Sequence, residues 1–296
     1  MLRRGERLTT GEFDLLGFLT GGIGLATLLL GLERGASQGW GDRSTVVVLG
    51  VVGVSLVVAF VVAELRVRAP MIDVRLLRER TFAIGNAALL PAAGATMGAL
   101  FVVPLLVQTH RGLSATESGL LTAFQAIGML TLLPFTNRLF QRFGGRTLLV
   151  TGFTLITASQ FALMLLGPTT SLSVIRASMF LMGMAGALVM VPLQAMAFSR
   201  ISLPDTARAS ALFSTTRQVA ASLGVAVIAT TLTVRTAVHV ADLPAQASAA
   251  QRSAAVFGAY QDVFLVSGLL GILGVGLALL LTGGGVGPAG RVGRSS

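Results

Sequence analysis

Eight apolar stretches, each long enough to cross a lipid bilayer, divide this chain of 296 residues. The hydrocarbon core of a bilayer is about 30 Å thick and takes roughly 20 helical residues, so long uncharged runs predict spanning helices. The runs show no strict alternation and are about twice as long as a barrel strand, which leaves helices as the spanning form. The sequence therefore predicts an all-α fold, a polytopic membrane helical bundle with eight transmembrane helices. The stretches are 15–32, 45–63, 82–108, 118–137, 147–167, 177–199, 211–234 (interrupted only by Arg217) and 263–282.

All 22 basic residues of the chain are arginine, and they are distributed unevenly between the two sides of the predicted bundle. Sixteen fall at the N terminus, in the C-terminal tail, or in and beside the second, fourth and sixth connections, whereas six fall on the other side. The positive-inside rule therefore predicts a multi-pass protein of the cell membrane, plasma or inner, with both termini in the cytoplasm. Because this topology accounts for most of the net charge of +10, we expect the lipid bilayer, and no nucleic acid, as a partner.

Charge density divides the chain into a short N-terminal part and a longer C-terminal part. Eight of the 17 residues from 64 to 80 are charged in an otherwise apolar protein. A second long connection, 235–262, is predicted outside the cell, where a short surface helix or a mobile loop would fit its content of Ala, Ser and Gln. The predicted units are a cytoplasmic N terminus with a two-span hairpin, 1–63, a charged cytoplasmic linker, 64–81, a six-span bundle, 82–282, and a flexible cytoplasmic tail, 283–296.

Several short motifs follow one another along the chain. They are Glu12 to Gly17 (EFDLLG), Pro70 to Arg78 (PMIDVRLLR), Leu139 to Arg146 (LFQRFGGR), and Arg217-Gln218 followed by Gly224 to Ala226. In this order and spacing the chain resembles the major facilitator superfamily, specifically its fourteen-span drug:proton antiporters. The resemblance covers nearly the whole chain and matches the C-terminal eight spans of that family, so it implies a partial major facilitator fold.

The same resemblance implies a missing part and a function. The hairpin matches the central pair of spans in the family and the bundle matches its C-terminal six, so the N-terminal six-span half has no counterpart here. Because such transporters alternate access between two halves, we expect proton-coupled multidrug export when an N-terminal half complements the chain. The implied substrates are small amphipathic or cationic compounds. A truncated or non-transporting membrane interaction protein is the open alternative.

Polar side chains deep in hydrocarbon are costly and therefore mark candidate functional sites. Gln125, Gln194, Arg217 and Gln218 stand out among apolar neighbours, and we expect them to line the substrate pathway. For the amides the alternative is an interhelical hydrogen bond, typically worth a fraction of a kcal/mol to about 2 kcal/mol. For Arg217 three roles stay open, namely binding an anionic group, holding two halves together, or reaching the cytoplasmic head groups.

The motif LFQRFGGR resembles the cytoplasmic signature loop of the superfamily. Its candidate residues are Arg138, Arg142, Gly144 and Arg146, whose guanidinium groups could bond helix carbonyls or an acid and so latch the inner gate. The family usually places an Asp where this chain has Gln141, and the change removes an ionic partner. A purely topological role for the three arginines is equally open.

The sequence contains no group of residues that predicts catalytic chemistry. No Asp or Glu lies in the middle of a span, and Asp14, Glu117 and Asp262 all lie at span ends. A proton-coupling carboxylate is therefore expected in the missing half, with Asp262 as a remote alternative. The two histidines, His110 and His239, are predicted on different outer loops, and the chain contains no cysteine. We expect no enzyme activity, no catalytic residue, no cofactor and no metal site.

Overall fold

The computed structural model describes residues 22–28, 30, 31, 34, 43–66, 73–167, 170–244 and 246–281. All regular structure in these ranges is helical, and it confirms the predicted all-α class. The predicted N terminus, half of the first predicted span, and the predicted tail lie outside the described residues. The helices are α1 (Arg43–Arg66), α2 (Arg80–Ala87), α3 (Leu89–Arg111), α4 (Ala115–Phe143), α5 (Gly145–Met164), α6 (Leu172–Phe198), α7 (Thr206–Ala241) and α8 (Ala249–Leu280), with 3-10 helices at Val74–Arg78 and Leu203–Asp205.

Six helical segments of the described chain are long and apolar enough to cross a membrane. They correspond in position to the six spans expected between 82 and 282, with α2 and α3 together forming the first. The second predicted span, 45–63, lies in α1, whose described apolar part is the shorter segment Ser44–Phe60. Of the first predicted span, 22–28 is helical. This helix touches α1, since a Cβ at Gly24 would lie only 2.8 Å from the Cβ of Leu56.

The six spanning segments form a bundle in which each helix has defined neighbours. α4 packs mainly on α6, α5 packs on α6 and α8, and α3 packs on α7 and α8. Within the part of the chain that the structure describes, α6 and α7 meet directly where the rings of Phe198 and Phe213 pack edge to face, with centroids 5.5 Å apart. Elsewhere they are joined through α2 and α3, which touch both. A groove therefore remains between α6 and α7.

α4 and α6 approach each other closely because glycines stand at their contact. A Cβ at Gly128 would overlap the backbone carbonyl of Phe180, and a Cβ at Gly183 would overlap the carbonyl of Gln125. The rest of α4 is the most exposed of the spans, with only 17% of its most apolar stretch buried. This helix therefore presents a broad apolar face to whatever surrounds the bundle.

Local sequence sets the turns between the helices. Ser114 and Ser248 form capping boxes, with Glu117 and Gln251 respectively, that begin α4 and α8. Gly144 alone separates α4 from α5, and its φ of 79° lies in the left-handed region, which glycine adopts without strain.

The connection predicted from 235 to 262 is mostly helix rather than a loop. α7 continues to Ala241 and α8 begins at Ala249, so only residues 242–248 join them. With 36 and 32 residues these helices are about 54 and 48 Å long, well beyond a hydrocarbon core of about 30 Å. Two side chains of the extended part of α7 reach one carboxylate of α8, so this polar segment is paired helix rather than a separate surface helix or a mobile loop.

Candidate functional site

The two ends of the bundle differ in charge. One end contains the start of α2, the α4–α5 turn and the α6–α7 connection, and it carries Arg138, Arg142, Arg146, Arg200 and Arg208. We call it the arginine-rich end. The opposite end contains the α3–α4 turn and the connections from α5 to α6 and from α7 to α8.

A recess of about 90 Å³ lies between α6 and α7, towards the arginine-rich end. Gln194 of α6 and Arg217 of α7 supply its polar side chains, and both side chains are exposed. The structure therefore brings together two of the four residues that were expected to line the substrate pathway. The apolar lining consists of Leu89, Met190, Val191, Leu193 and Phe213.

Arg217 has no hydrogen bond or ion pair with any residue that the structure describes. Two other arginines of the same helix are paired, because Arg208 lies 3.6 Å from Asp205 and Arg235 lies 2.6 Å from Asp262. A guanidinium group offers five N–H donors in a planar fork that suits carboxylate and phosphate groups. The recess can therefore bind a polar or anionic group, and it contains no nucleophile.

Gln125 and Gln218, the other two predicted pathway residues, lie elsewhere. Gln218 directly follows Arg217, so the helical step of about 100° turns its side chain to another direction, where it is exposed. Gln125 lies at the contact between α4 and Gly183 of α6, and its Oε1 is buried without a hydrogen-bond partner among the described residues. Gly183 is eleven residues from Gln194, which places Gln125 about 16 Å from the recess along α6.

The residues of the signature motif surround the α4–α5 turn at the arginine-rich end. Arg138 and Arg142 lie in the last turns of α4, Gly144 is the turn residue, and Arg146 lies in the first turn of α5. The guanidinium carbon of Arg142 lies 5.3 Å from the centre of the Phe143 ring. In the described structure none of the three arginines forms an ion pair or a hydrogen bond with another residue.

The sequence did not indicate the partners of two polar groups. At the opposite end, Asp262 pairs with both Arg235 and His239, whose spacing of four residues places them on one face of α7. This spacing was a usable signal, but the segment was assigned to a loop. In the core, Gln160 is fully buried, and its Nε2 donates to the backbone carbonyl of Ala95 in α3. A lone amide in an apolar run gives no indication of its partner.

Comparison with known proteins places the chain in a family. The family model of the Major Facilitator Superfamily matches residues 14–225, which is more than half of the chain. An uncharacterized MFS-type transporter of Bacillus subtilis, YhcA, is 31% identical over 245 residues, which cover 81% of this chain and 45% of the relative.

Two further relatives have names that state an activity. The multidrug export protein EmrB of Escherichia coli is 28% identical over 81% of this chain and 47% of its own length. The multidrug resistance protein B homolog of Mycobacterium tuberculosis is 29% identical over 75% of this chain and 42% of its own length. The chain thus spans about half the length of the curated relatives that it matches. With a family model across most of its length and a bundle of membrane-spanning helices, the chain belongs to the major facilitator superfamily, whose members are membrane-embedded transporters.

Proposed function

We propose that this chain forms one wall of a membrane efflux transporter that exports small amphipathic compounds by alternating access. The observation that carries the proposal is the open recess between α6 and α7, in which Gln194 and Arg217 remain exposed on a bundle otherwise rich in apolar surface. A polar pair in a groove between spanning helices is the arrangement expected of a transport pathway. The names of the relatives, which include multidrug export and multidrug resistance proteins, support the same substrate class.

The second wall of the pathway is proposed to come from an N-terminal six-span half. The recess has a volume of about 90 Å³, whereas pockets for drug-sized ligands measure roughly 300–1,000 Å³. A compound of that size would therefore project out of the groove and need another surface to cover it. Two halves that rock about a site near the membrane midplane provide such a cover.

Export is proposed to be coupled to protons through a carboxylate of the second half. Glu117 closes the capping box of α4, and Asp262 is paired with Arg235. Each of these two carboxylates therefore already stabilises local structure. The arginine-rich end is proposed to face the cytoplasm of a cell-membrane protein, in line with the positive-inside rule. There the α4–α5 turn, with Arg138, Arg142 and Arg146, would meet the second half when the inner gate closes.

A non-transporting interaction protein is the second candidate function. The broad exposed face of α4 supports it, since such a face can pack on another membrane protein without any transport.

A resistance assay separates the two candidates. Cells that lack their own efflux pumps would express this chain alone, an N-terminal six-span half alone, or both, and survival would be measured against several amphipathic drugs. The proposal expects resistance only with both, and loss of resistance when Gln125, Gln194, Arg217 and Gln218 are replaced together by Ala or Leu. Unchanged export by that quadruple variant would reject the pathway assignment, and membrane insertion without resistance in every combination would favour the interaction protein.

A further inference from the structure

We propose that the recess between α6 and α7 binds an anionic group carried on an apolar body, with Arg217 as the ionic partner and Gln194 as a neutral hydrogen-bond partner. The inference rests on the proposed transport function, and it narrows the substrate class from amphipathic compounds in general to amphipathic anions. The family resemblance implied amphipathic or cationic compounds, and the inference keeps the amphipathic part of that expectation and departs from the cationic part.

The charge of Arg217 is the first reason. It lies eleven residues into α7, about 16 Å from the start of the helix, and no described residue neutralises it. A charged side chain within a spanning helix is costly unless it is paired or reaches water. Arg235 on the same helix shows the internal solution, because Asp262 of α8 compensates it. For Arg217 no described residue offers such a partner, so its exposed charge is available to a group from outside the described helices.

The carboxylates near the arginine-rich end are the second reason. Asp73, Glu79 and Asp205 each accept a hydrogen bond from a residue two or three positions away, at 3.1, 2.6 and 2.6 Å. Each therefore serves a local cap or turn, and none extends to Arg217. The recess itself contains no acid, so its field is positive. A cationic compound would be repelled there, whereas an anion would gain a charge-assisted hydrogen bond.

The shape of the recess is the third reason. Its volume of about 90 Å³ admits a head group rather than a whole drug-sized compound. The apolar body would lie along the groove against Met190, Val191 and Phe213. The amide of Gln194 adds one donor and one acceptor beside the guanidinium, which suits a carboxylate, sulfonate or phosphate oxygen. A soluble compound and an anionic lipid both carry this chemistry.

Fluorescence binding with three matched probes tests the proposal. The purified chain would be placed in nanodiscs of phosphatidylcholine and titrated with dansylglycine, dansylamide and dansylcadaverine, which share one ring system and carry negative, zero and positive charge. We expect dansylglycine to bind at least about tenfold more tightly than dansylcadaverine, because a tenfold preference needs only about 1.4 kcal/mol. The Arg217→Gln variant should lose this preference, and Arg217→Lys should keep part of it, since the ammonium retains the charge but not the fork.

Arg208→Gln is the matched control, because it removes an arginine from the same helix outside the recess. It should keep the preference for dansylglycine. Each variant would first be shown to elute as a single species in size-exclusion chromatography, so that misfolding is not mistaken for lost binding. Equal affinity for the three probes, absence of dansylglycine binding, or a preference that survives Arg217→Gln would overturn the proposal.

A second titration identifies the source of the anion. In nanodiscs that contain phosphatidylglycerol, loss of dansylglycine binding would assign the recess to a lipid phosphate, and retained binding would assign it to a soluble compound. Both results support an anion site. The readout is binding by this chain alone, so it is independent of the resistance assay. Binding without resistance would reject the proposed function and keep the anion site. Resistance without the charge preference would keep the proposed function and reject the anion site.

Discussion

Asp262 of α8 and Arg235 of α7 form an ion pair in which Nε donates to Oδ2 at 2.6 Å. The same oxygen lies 2.8 Å from Nε2 of His239, so one carboxylate holds two successive turns of the neighbouring helix. This pairing lies near the end opposite the arginine-rich end, where α7 and α8 are longer than a bilayer core requires. It explains how a polar segment remains helical there.

Replacement of Asp262 by Asn should destabilise the bundle. An amide has nearly the same shape but cannot compensate the charge of Arg235. Because the side chains of Arg235 and Asp262 are 43% and 24% exposed, solvent screening limits the expected loss of unfolding free energy to about 1 kcal/mol. Thermal unfolding in detergent should show a midpoint lower by a few degrees. Asp205→Asn, which breaks the more exposed contact with Arg208, should leave the midpoint unchanged, and equal effects of the two variants would contradict the role given to Asp262.

Replacement of Gly183 by Ala should weaken the contact between α4 and α6. Alanine ordinarily favours a helix over glycine, by about 1 kcal/mol. At this position its Cβ would overlap the carbonyl of Gln125, so overpacking should dominate and cost about 1–3 kcal/mol. Gly186→Ala on the same helix is the control, since a Cβ there meets no atom within 4 Å. Thermal unfolding should separate the two variants, and a Gly183→Ala protein as stable as Gly186→Ala would show that the helices are not so closely packed.

Replacement of Gln160 should distinguish packing from hydrogen bonding in the core. The side chain is fully buried, and its Nε2 donates to the carbonyl of Ala95. Gln160→Met keeps most of the volume and removes one interhelical hydrogen bond, a loss of about 0.6 kcal/mol and at most about 2 kcal/mol. Gln160→Ala also leaves a cavity and should cost about 2–5 kcal/mol. Denaturation in detergent should rank wild type, Met and Ala in that order, and an alanine variant as stable as the methionine variant would argue against a tightly packed site.

Cysteine labelling should establish the orientation, because the chain contains no cysteine of its own. Gln141, beside the α4–α5 turn, and Ala250, in the first turn of α8, are both exposed and lie at opposite ends of the bundle. In intact cells an impermeant maleimide should label Ala250→Cys and leave Gln141→Cys unlabelled until the membrane is opened. The reverse pattern would place the arginine-rich end outside and invert the proposed topology.

The spans were predictable because the length of an uncharged apolar run reports directly on the thickness of a bilayer core. The ends of α7 and α8 were not predictable on that basis. Between 235 and 262 the polar residues suggested a loop, whereas Arg235, His239 and Asp262 stabilise helix by pairing across α7 and α8. Partners on different helices depend on how the helices pack, and periodicity within one helix does not contain that information.

The candidate site was predictable in its residues but not in its arrangement. Rarity among apolar neighbours identified Gln194 and Arg217, yet it identified Gln125 and Gln218 equally. Only the packing of α6 beside α7 shows which two share a recess. The buried contact of Gln125 with α6 depends on Gly183, whose importance is not apparent until the close approach of the two helices is known.

The limited direct contact between α6 and α7 has a mechanical consequence. A molecule held jointly by Gln194 and Arg217 would add a second direct link between two helices that otherwise touch at Phe198 and Phe213 and are joined through α2 and α3. Occupancy would then stiffen this side of the bundle and raise its melting temperature in proportion to the logarithm of ligand concentration above the dissociation constant. If the chain forms the proposed wall of a transporter, substrate binding would therefore make that wall more rigid.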